Sequence, residues 1–323
     1  MTKAKLVYHN NTNCDADITV AIPTFGRSEL IKQTLHSVFS QLGAVKYKLV
    51  VVSNDSEDSD CSEIIEILNQ SKHIDSKVFR NLINVGMIRN WNKCFEFANT
   101  EYVIFLHDDD LLANDALITF HREMYKWDAV TSSTQLIGSK RYSTLLYKLS
   151  NKLNQFYQFR RSTGIKLNLK NALIRCPITT SGTIFRKKVF LELGGFREDI
   201  FPGSDYEFNL RLVSRFNVIQ LKNKLVKYRI HENASHSKEV IKKSSLAYHK
   251  IRIQCYELLY SHSNPSFKKI IIKNILNHIF RLESSANNYK LEIDTYKSII
   301  KKLKFRIEVQ LLKFLKLIII TIR

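Results

Sequence analysis

Cysteine, proline and long apolar runs are all scarce in this sequence, and each scarcity excludes a class of protein. The 323 residues contain 5 cysteines and 4 prolines. The cysteines are scattered, odd in number and without CxxC spacing, which argues against a disulfide framework or a thiolate zinc site and fits a reducing cytosol. No apolar run of about 18 residues occurs, so we expect no conventional membrane span. Because the first residues also lack the apolar run of about 7–15 residues found in secretory signals, we expect a cytoplasmic protein.

Acidic residues and glycine become rare toward the end of the chain. The formal net charge is +20, and residues 238–323 contribute 18 − 6 = +12 of it. All 9 glycines lie at or before Gly203. The charge indicates an anionic partner, for which nucleic acid, a phospholipid surface and a phosphorylated substrate are the candidates. The composition predicts a glycine-punctuated domain over residues 1–235 and a basic helical region over residues 236–323.

Strand and helix signals alternate in the first of these regions. Apolar, β-branched runs predict strands at 18–22, 47–52, 77–80 and 102–106. Apolar periodicity predicts helices at 29–39, 64–68 and 87–98, with Ser28 placed to cap the first of them. Strands separated by helices predict a mostly parallel α/β sheet with both faces covered. Each strand ends in polar residues, and ligands bind at that carboxyl edge in open α/β sheets.

Three consecutive carboxylates, Asp108, Asp109 and Asp110, follow the apolar strand at 102–106. Adjacent carboxylates repel one another and are costly to desolvate together. A divalent cation removes this cost, and Mg²⁺ or Mn²⁺ prefers such oxygen ligands. On an extended chain, Asp108 and Asp110 would share one side and Asp109 would take the other. The alternative to a metal site is a solvated acidic turn that precedes the next helix.

Six short motifs occur in a fixed order between residues 16 and 235. They are VAIPTFGR (20–27), VVSNDS (51–56), NVGMIRN (84–90), YVIFLHDDD (102–110), GGF (194–196) and GSDYEF (203–208). Each is weak alone, but the ordered set resembles a family 2 glycosyltransferase of the GT-A fold, the type that assembles bacterial surface polysaccharides. The resemblance implies a GT-A catalytic domain, with a Rossmann-like, mostly parallel sheet flanked by helices and followed here by a C-terminal helical appendage.

The resemblance also implies a binding site for a nucleotide-sugar donor. It places Asn54 and Asp55 where the family has an acidic pair that binds the nucleobase; the amide at the first position leaves the choice of base open. Asp108 is implied to face the ribose. The remaining donor-binding positions that the resemblance implies are Pro23, Thr24, Arg27, Arg89, Asn90 and Gly182. An exposed helix residue is the alternative for Arg89, and a plain strand start is the alternative for Gly182.

The metal ligands implied by the resemblance are Asp109, Asp110 and His231, holding Mn²⁺ or Mg²⁺. The family often has Asp where this chain has His107, so the register of the motif is ambiguous. His231 has the alternative of an ordinary surface or core histidine.

The implied reaction is an inverting transfer in which Asp205 is the general base. Ser204 stands where the family has the first acid of a pair, and a plain helix-start residue is the alternative for Asp205. The implied donor is uridine-linked, and the acceptor is a glycan or lipid-linked glycan at the inner face of the membrane. Two other classes remain open: a nucleotidyltransferase, and a non-catalytic glycan-binding or scaffold protein derived from a glycosyltransferase.

The last residues of the chain combine lysines with an apolar helical face. That face consists of Ile307, Leu311, Phe314, Leu315, Ile318 and Ile322. It predicts a helix that lies in an anionic membrane surface, with Lys313 and Lys316 reaching the headgroups. The alternative is a terminal helix packed on the catalytic domain. No RNA-binding, zinc-finger or Gly-Arg pattern occurs, so nucleic acid is not expected as a partner.

Overall fold

The computed structural model describes residues 4–55, 59–138, 164–174 and 176–230, with isolated positions between 243 and 255. The chain divides into two compact units, Met1–Ser244 and Ser245–Arg323. The described residues belong almost entirely to the first unit. The amphipathic stretch at the end of the chain and His231 lie outside them, and the domain boundary at 235 stays a prediction. No helix in the described part is both long and apolar enough to cross a membrane.

The described strands form one mixed sheet. In the order β1-β4-β3-β2-β5-β9-β7-β10-β6, neighbouring strands are hydrogen-bonded, and β8 pairs with β10. The strands β4, β3, β2 and β5 run parallel to one another, while β9 is antiparallel between β5 and β7. Their bounds are β1 Ala4–Asn10, β2 Ile18–Thr24, β3 Tyr47–Ser53, β4 Asp75–Asn81, β5 Tyr102–Phe105, β6 Leu111–Leu112, β7 Ala129–Gly138, β8 Gly164–Leu167, β9 Thr183–Arg186 and β10 Val218–Ile230.

Helices connect these strands as the βαβ pattern predicts. Their bounds are α1 Ser28–Phe39, α2 Ser59–Asn69, α3 Met87–Phe97, α4 Ala116–Met124, α5 Leu169–Ile174, α6 Lys187–Glu192 and α7 Ser204–Arg215. The prediction that Ser28 caps α1 is wrong. Ser28 is already the first helical residue, and Arg27 takes the cap position without a side-chain hydrogen bond.

Both faces of the sheet are covered by apolar side chains. Every residue of β2 is buried, which explains why its sequence is mostly apolar and does not alternate between apolar and polar residues. One face packs aliphatic side chains of α1, α2 and α4, with Ile104 and Ile184 among the contacts. Because side chains alternate along a strand, Phe105 and Phe185 point the other way. There they join an aromatic cluster in which Phe95 stacks on Phe190.

Candidate functional site

The carboxyl ends of β2, β3 and β5 meet at one edge of the sheet, because these strands are parallel and adjacent. Thr24 ends β2, and its hydroxyl donates to Asp108 Oδ2 at 2.9 Å. The backbone N–H of Asn54, just after β3, donates to the Thr24 carbonyl at 2.9 Å. Two motifs some 80 residues apart in the chain are thus joined directly, and the site forms at the edge where the sequence predicts it.

Residues 107–110 form a turn that we call the acidic turn. The Asp110 N–H donates to the His107 carbonyl at 3.3 Å, and the Thr34 hydroxyl lies 2.9 Å from the carbonyl oxygens of both Asp108 and Asp110. Because the chain turns here, the expected alternation, with Asp109 opposite Asp110, is wrong. Ligand atoms of His107, Asp109 and Asp110 instead lie within 4.8 Å of one another.

The chemistry of this group fits a divalent cation. Asp110 Oδ2 and His107 Nε2 are buried and make no hydrogen bond of good geometry to the described residues, although the Ser181 hydroxyl acts on the Asp110 carboxylate and lowers its pKa. Buried polar atoms of this kind are rare unless something else satisfies them. Burial lowers the pKa of His107, which keeps the imidazole in the neutral, metal-binding form. Burial, followed by the Asp109 carboxylate, raises the pKa of Asp110 to about 7. A cation at this position would offset the cost of ionising Asp110.

Arg27 lies against the same carboxylates. Its Nη1 is 3.1 Å from Asp108 Oδ1 and 2.7 Å from Asp109 Oδ2. Burial raises the pKa of Asp108 to about 6, while the Arg27 guanidinium acts in the opposite direction. The side chain of Arg27 is 31% exposed, so it can leave the carboxylates without unpacking the core. The structure therefore places this donor-site candidate beside the acidic turn.

Arg229, at the end of β10, closes the acidic turn from the other side. Its backbone N–H donates to Asp110 Oδ1 at 2.9 Å, and its Nε donates to the Asp109 carbonyl at 2.9 Å. Its Nη2 donates to Gln33 on α1 at 2.7 Å. No sequence motif predicts a role for Arg229. The only sequence signal was its place two residues before His231.

Asn54 and Asn90 belong to a buried amide network. Asn54 Oδ1 accepts from Asn81 at 3.1 Å and from the Val85 N–H at 2.9 Å, while its Nδ2 donates to Asn84 at 2.8 Å. Asn90 accepts from Asn81 at 2.8 Å and donates to the carbonyl of Val52 at 3.0 Å. The network ties the end of β3 to the loop after β4 and to α3. Asp55, the next residue after Asn54, is half-buried.

Two other donor-site candidates have structural partners. Arg89 is half-exposed and binds both carboxylate oxygens of Glu198, with contacts of 2.7 to 3.1 Å. This agrees with the alternative of an exposed helix residue. At Gly182 the backbone has a φ of +74°, and an added Cβ would lie 2.2 Å from Val226 Cγ2. Gly182 therefore allows close packing against β10, and its role in donor binding stays a prediction.

Asp205 lies in the first turn of α7 and is half-buried. Its Oδ1 accepts from the Tyr206 N–H at 2.7 Å. Later in the same helix, Asn209 Nδ2 lies 3.4 Å from Thr180 Oγ1. Next to Thr180, the Ser181 hydroxyl accepts from the His107 N–H at 3.0 Å. The helix that carries Asp205 is therefore linked to the acidic turn through a loop of only a few residues.

Several curated proteins are similar in sequence to this chain. MT1568 of Mycobacterium tuberculosis is 31% identical over 207 residues, which are 61% of this chain and 62% of that protein. The poly(ribitol-phosphate) beta-N-acetylglucosaminyltransferase TarP of Staphylococcus aureus is 27% identical over 38% of this chain and 36% of TarP. The minor teichoic acid biosynthesis protein GgaB of Bacillus subtilis is 22% identical over 83% of this chain and 28% of GgaB. The matches thus span less than two thirds of each relative.

Solved structures share the fold at low sequence identity. S. aureus TarS 1-349 in complex with UDP-GlcNAc has a TM-score of 0.55 and 14% identity, covering 81% of this chain and 80% of that chain. The mannosyltransferase PcManGT from Pyrobaculum calidifontis, in complex with GDP-Man and Mn²⁺, has a TM-score of 0.57 and 14% identity, covering 88% and 74%. These likenesses confirm the predicted GT-A fold.

The family model for glycosyl transferase family 2 matches residues 19–194. This segment runs from β2 into the loop after α6, and it includes the acidic turn, Arg27 and the buried amide network. It covers more than half of the 323 residues. The chain therefore belongs to glycosyl transferase family 2.

Proposed function

We propose that the chain transfers a sugar from a nucleoside-diphosphate sugar, uridine-linked by preference, to a glycan or lipid-linked acceptor during surface polysaccharide synthesis. The observation that carries the proposal is the acidic turn at the carboxyl edge of the sheet, where ligand atoms of His107, Asp109 and Asp110 lie within 4.8 Å of one another. The name of TarP and the UDP-GlcNAc complex of TarS support the donor class. The GDP-Man complex of PcManGT means that the fold alone does not select uridine.

Asp109 and Asp110 are the residues that would hold Mn²⁺ or Mg²⁺, together with His231 as implied by the family resemblance. Bound there, the cation supplies positive charge that stabilises a departing diphosphate. The Arg27 guanidinium is also placed to stabilise the departing diphosphate, since it already lies among the carboxylates. Thr24 holds Asp108 at the end of β2, in the position that we assign to the donor ribose.

The amide network positions the nucleobase pocket rather than contacting the donor. Asn54 and Asn90 each use both side-chain heteroatoms within the protein, which leaves Asp55 as the residue for hydrogen bonding to the base. Arg89 reaches the diphosphate only if it leaves Glu198. We therefore assign donor contact to Asp55, Arg27 and the Pro23–Thr24 end of β2.

Asp205 is the proposed general base of an inverting displacement. Its carboxylate takes the proton from the acceptor hydroxyl while the hydroxyl oxygen forms a bond to the anomeric carbon. The bond from that carbon to the diphosphate oxygen breaks on the opposite face, and the nucleoside diphosphate leaves with the electron pair. Asp205 is only half-buried at the start of α7, so we assign the approach of the acceptor to its exposed side.

A thermal-unfolding panel of nucleoside-diphosphate sugars, with Mn²⁺ or with EDTA, tests this function. We expect one nucleotide to stabilise the chain in Mn²⁺ only; a ligand at about 100 times its Kd adds about 2.7 kcal/mol to the unfolding free energy. Asp109→Ala should lose this response without loss of fold, and product analysis with the stabilising donor then identifies the sugar transferred. Stabilisation by glycans but by no nucleotide would favour the non-catalytic alternative, and turnover of a nucleoside triphosphate would favour the nucleotidyltransferase.

A further inference from the structure

The acidic turn begins with a histidine, His107, to which the proposed function assigns no role. His107 stands where the resembled family often has an aspartate, so this position of the turn offers an imidazole in place of a carboxylate. One of its ring nitrogens lies within 4.8 Å of carboxylate oxygens of both Asp109 and Asp110. Its Nε2 is buried and has no hydrogen-bond partner among the described residues.

The ring of His107 is held in place by its surroundings. Trp91 stacks on it with centroids 4.9 Å apart and an interplanar angle of 30°. The edge of the ring meets Phe105 at 5.3 Å and 90°. On the backbone side, the His107 N–H donates to Ser181 Oγ at 3.0 Å. A ring fixed on two sides presents its nitrogens in one orientation, as a metal ligand requires.

We propose that His107, rather than the His231 that the resemblance implies, supplies the imidazole ligand of the cation, so that the site offers one imidazole nitrogen with two carboxylates and prefers a first-row transition ion to Mg²⁺. This inference rests on the cation of the proposed function. Mg²⁺ takes oxygen ligands and water, whereas an imidazole binds transition ions. The alternative for His107 is a purely structural role in the aromatic cluster beside Trp91 and Phe105.

Pulsed electron paramagnetic resonance on the full-length chain with Mn²⁺ alone separates the two roles. A coordinated imidazole modulates the electron spin echo of Mn²⁺ at ¹⁴N frequencies, which oxygen ligands do not. We expect this modulation in the wild type and its loss in His107→Phe, which keeps a stacking ring but has no ligand atom. Mn²⁺ affinity should fall at least about tenfold in this variant, since loss of an outer-shell partner alone costs about 10- to 100-fold. The ratio of the Mn²⁺ affinity to the Mg²⁺ affinity should also fall in this variant.

Two matched variants complete the experiment. His73→Phe changes an exposed histidine before the amino end of β4, at the opposite edge of the sheet, and should leave the modulation unchanged. His231→Gln tests the other candidate nitrogen and should also retain it. Circular dichroism melting verifies folding, and His107→Asn replaces the phenylalanine variant if the larger ring destabilises the cluster.

The outcomes distinguish this inference from the proposed function. Modulation that persists without the His107 imidazole would overturn the inference by assigning the nitrogen elsewhere. Mn²⁺ that binds the wild type without modulation would overturn it too, while leaving a metal-dependent transferase intact. If the chain binds no Mn²⁺, both the ligand assignment and the metal dependence are overturned. Transfer that persists in EDTA would then show that the chain is still a transferase, but one that needs no metal.

Discussion

At the scale of single residues, burial sets the charge of the acidic turn. Asp108 and Asp110 have pKa values raised to about 6 and about 7, in both cases chiefly by burial. Arg27 and the backbone of Arg229 donate to these carboxylates and lower the cost of ionising them. The turn is therefore poised to exchange protons for a cation near neutral pH.

This balance predicts a pH-dependent effect of metal on stability. Both pKa values lie above the ordinary 3.8, so between about pH 4 and pH 7 the folded chain binds more protons than the unfolded chain. In EDTA, the stability that these two groups contribute is therefore present below about pH 4 and is lost as pH rises through about 6 and 7. Since a cation competes with these protons, Mn²⁺ should raise the Tm more at pH 8 than at pH 5.

Thermal unfolding in Mn²⁺ and in EDTA at the two pH values checks this expectation. Asp110→Asn is the matched variant, because an amide oxygen can still accept from the Arg229 N–H but no longer carries charge. It should be more stable than the wild type in EDTA at pH 8 and should respond less to Mn²⁺. An equal effect of Mn²⁺ at both pH values would contradict the assignment.

The second prediction at this scale concerns the base. Asp205→Asn should bind the donor as the wild type does but lose about 10²- to 10⁴-fold in transfer rate, because an amide cannot take the acceptor proton. The fold should persist, since the asparagine oxygen can still accept from the Tyr206 N–H. Asp199→Asn, at an exposed aspartate paired with Arg197, is the control and should transfer normally. If Asp205→Asn keeps more than about half of the wild-type turnover, Asp205 is a structural residue.

At the scale of secondary-structure elements, β10 organises the candidate site. It pairs with β7, β8 and β6, and its last residues include Arg229, which closes the acidic turn. The loop that holds His107 through Ser181 lies against the same strand, because Gly182 packs on Val226. A structural change at Gly182 should therefore alter the geometry of the acidic turn.

Gly182→Ala tests this packing. The new Cβ would overlap Val226, and the backbone has a φ of +74°. Gly194→Ala is a close control, because its φ is +75° and nothing lies within 4 Å of the added Cβ. We expect the control to lose about 1–2 kcal/mol of unfolding free energy from the backbone conformation alone, and Gly182→Ala to lose more and also to weaken Mn²⁺ binding. If both variants lose the same unfolding free energy in chemical denaturation, the contact with Val226 adds nothing to the cost of the backbone conformation.

At the scale of the whole molecule, the charge is unevenly distributed. Residues 238–323 contribute 18 − 6 = +12 of the net +20, and they lie almost entirely outside the described residues. Anionic lipid attracts each basic residue near its surface by about 1 kcal/mol. The proposed lipid-linked acceptor would place the enzyme beside such a surface.

Removal of residues 301–323 tests membrane binding. We expect the full chain to sediment with vesicles of phosphatidylserine and phosphatidylcholine, less so in high salt because the attraction is screened. The shortened chain should remain in the supernatant and keep donor hydrolysis, since the candidate site residues all precede residue 232. Equal sedimentation of both chains would refute membrane binding through this stretch. A lower Tm and lost activity without lipid would instead indicate a helix packed on the catalytic domain.

The sequence alone determined the fold class, the family and the edge of the sheet where the candidate site forms. These depend on local patterns: apolar runs define β2, β3 and β5, and parallel strands bring polar ends together. Asp108, Asp109 and Asp110 could be found because three adjacent carboxylates after a buried strand are costly wherever the chain folds.

Tertiary structure decided which partner each of these residues has. Arg229 binds a carboxylate 119 positions earlier in the chain, and Arg89 pairs with Glu198 across 109 positions. No periodicity records such contacts. The turn at His107 likewise overrides the alternation of an extended strand, because the hydroxyl of Thr34 on α1 holds two of its carbonyls. Residue types and their order thus determined which chemical groups are available. Packing between distant segments decided which of these groups can take part in the chemistry, because burial and hydrogen bonding depend on neighbours that only the fold brings together.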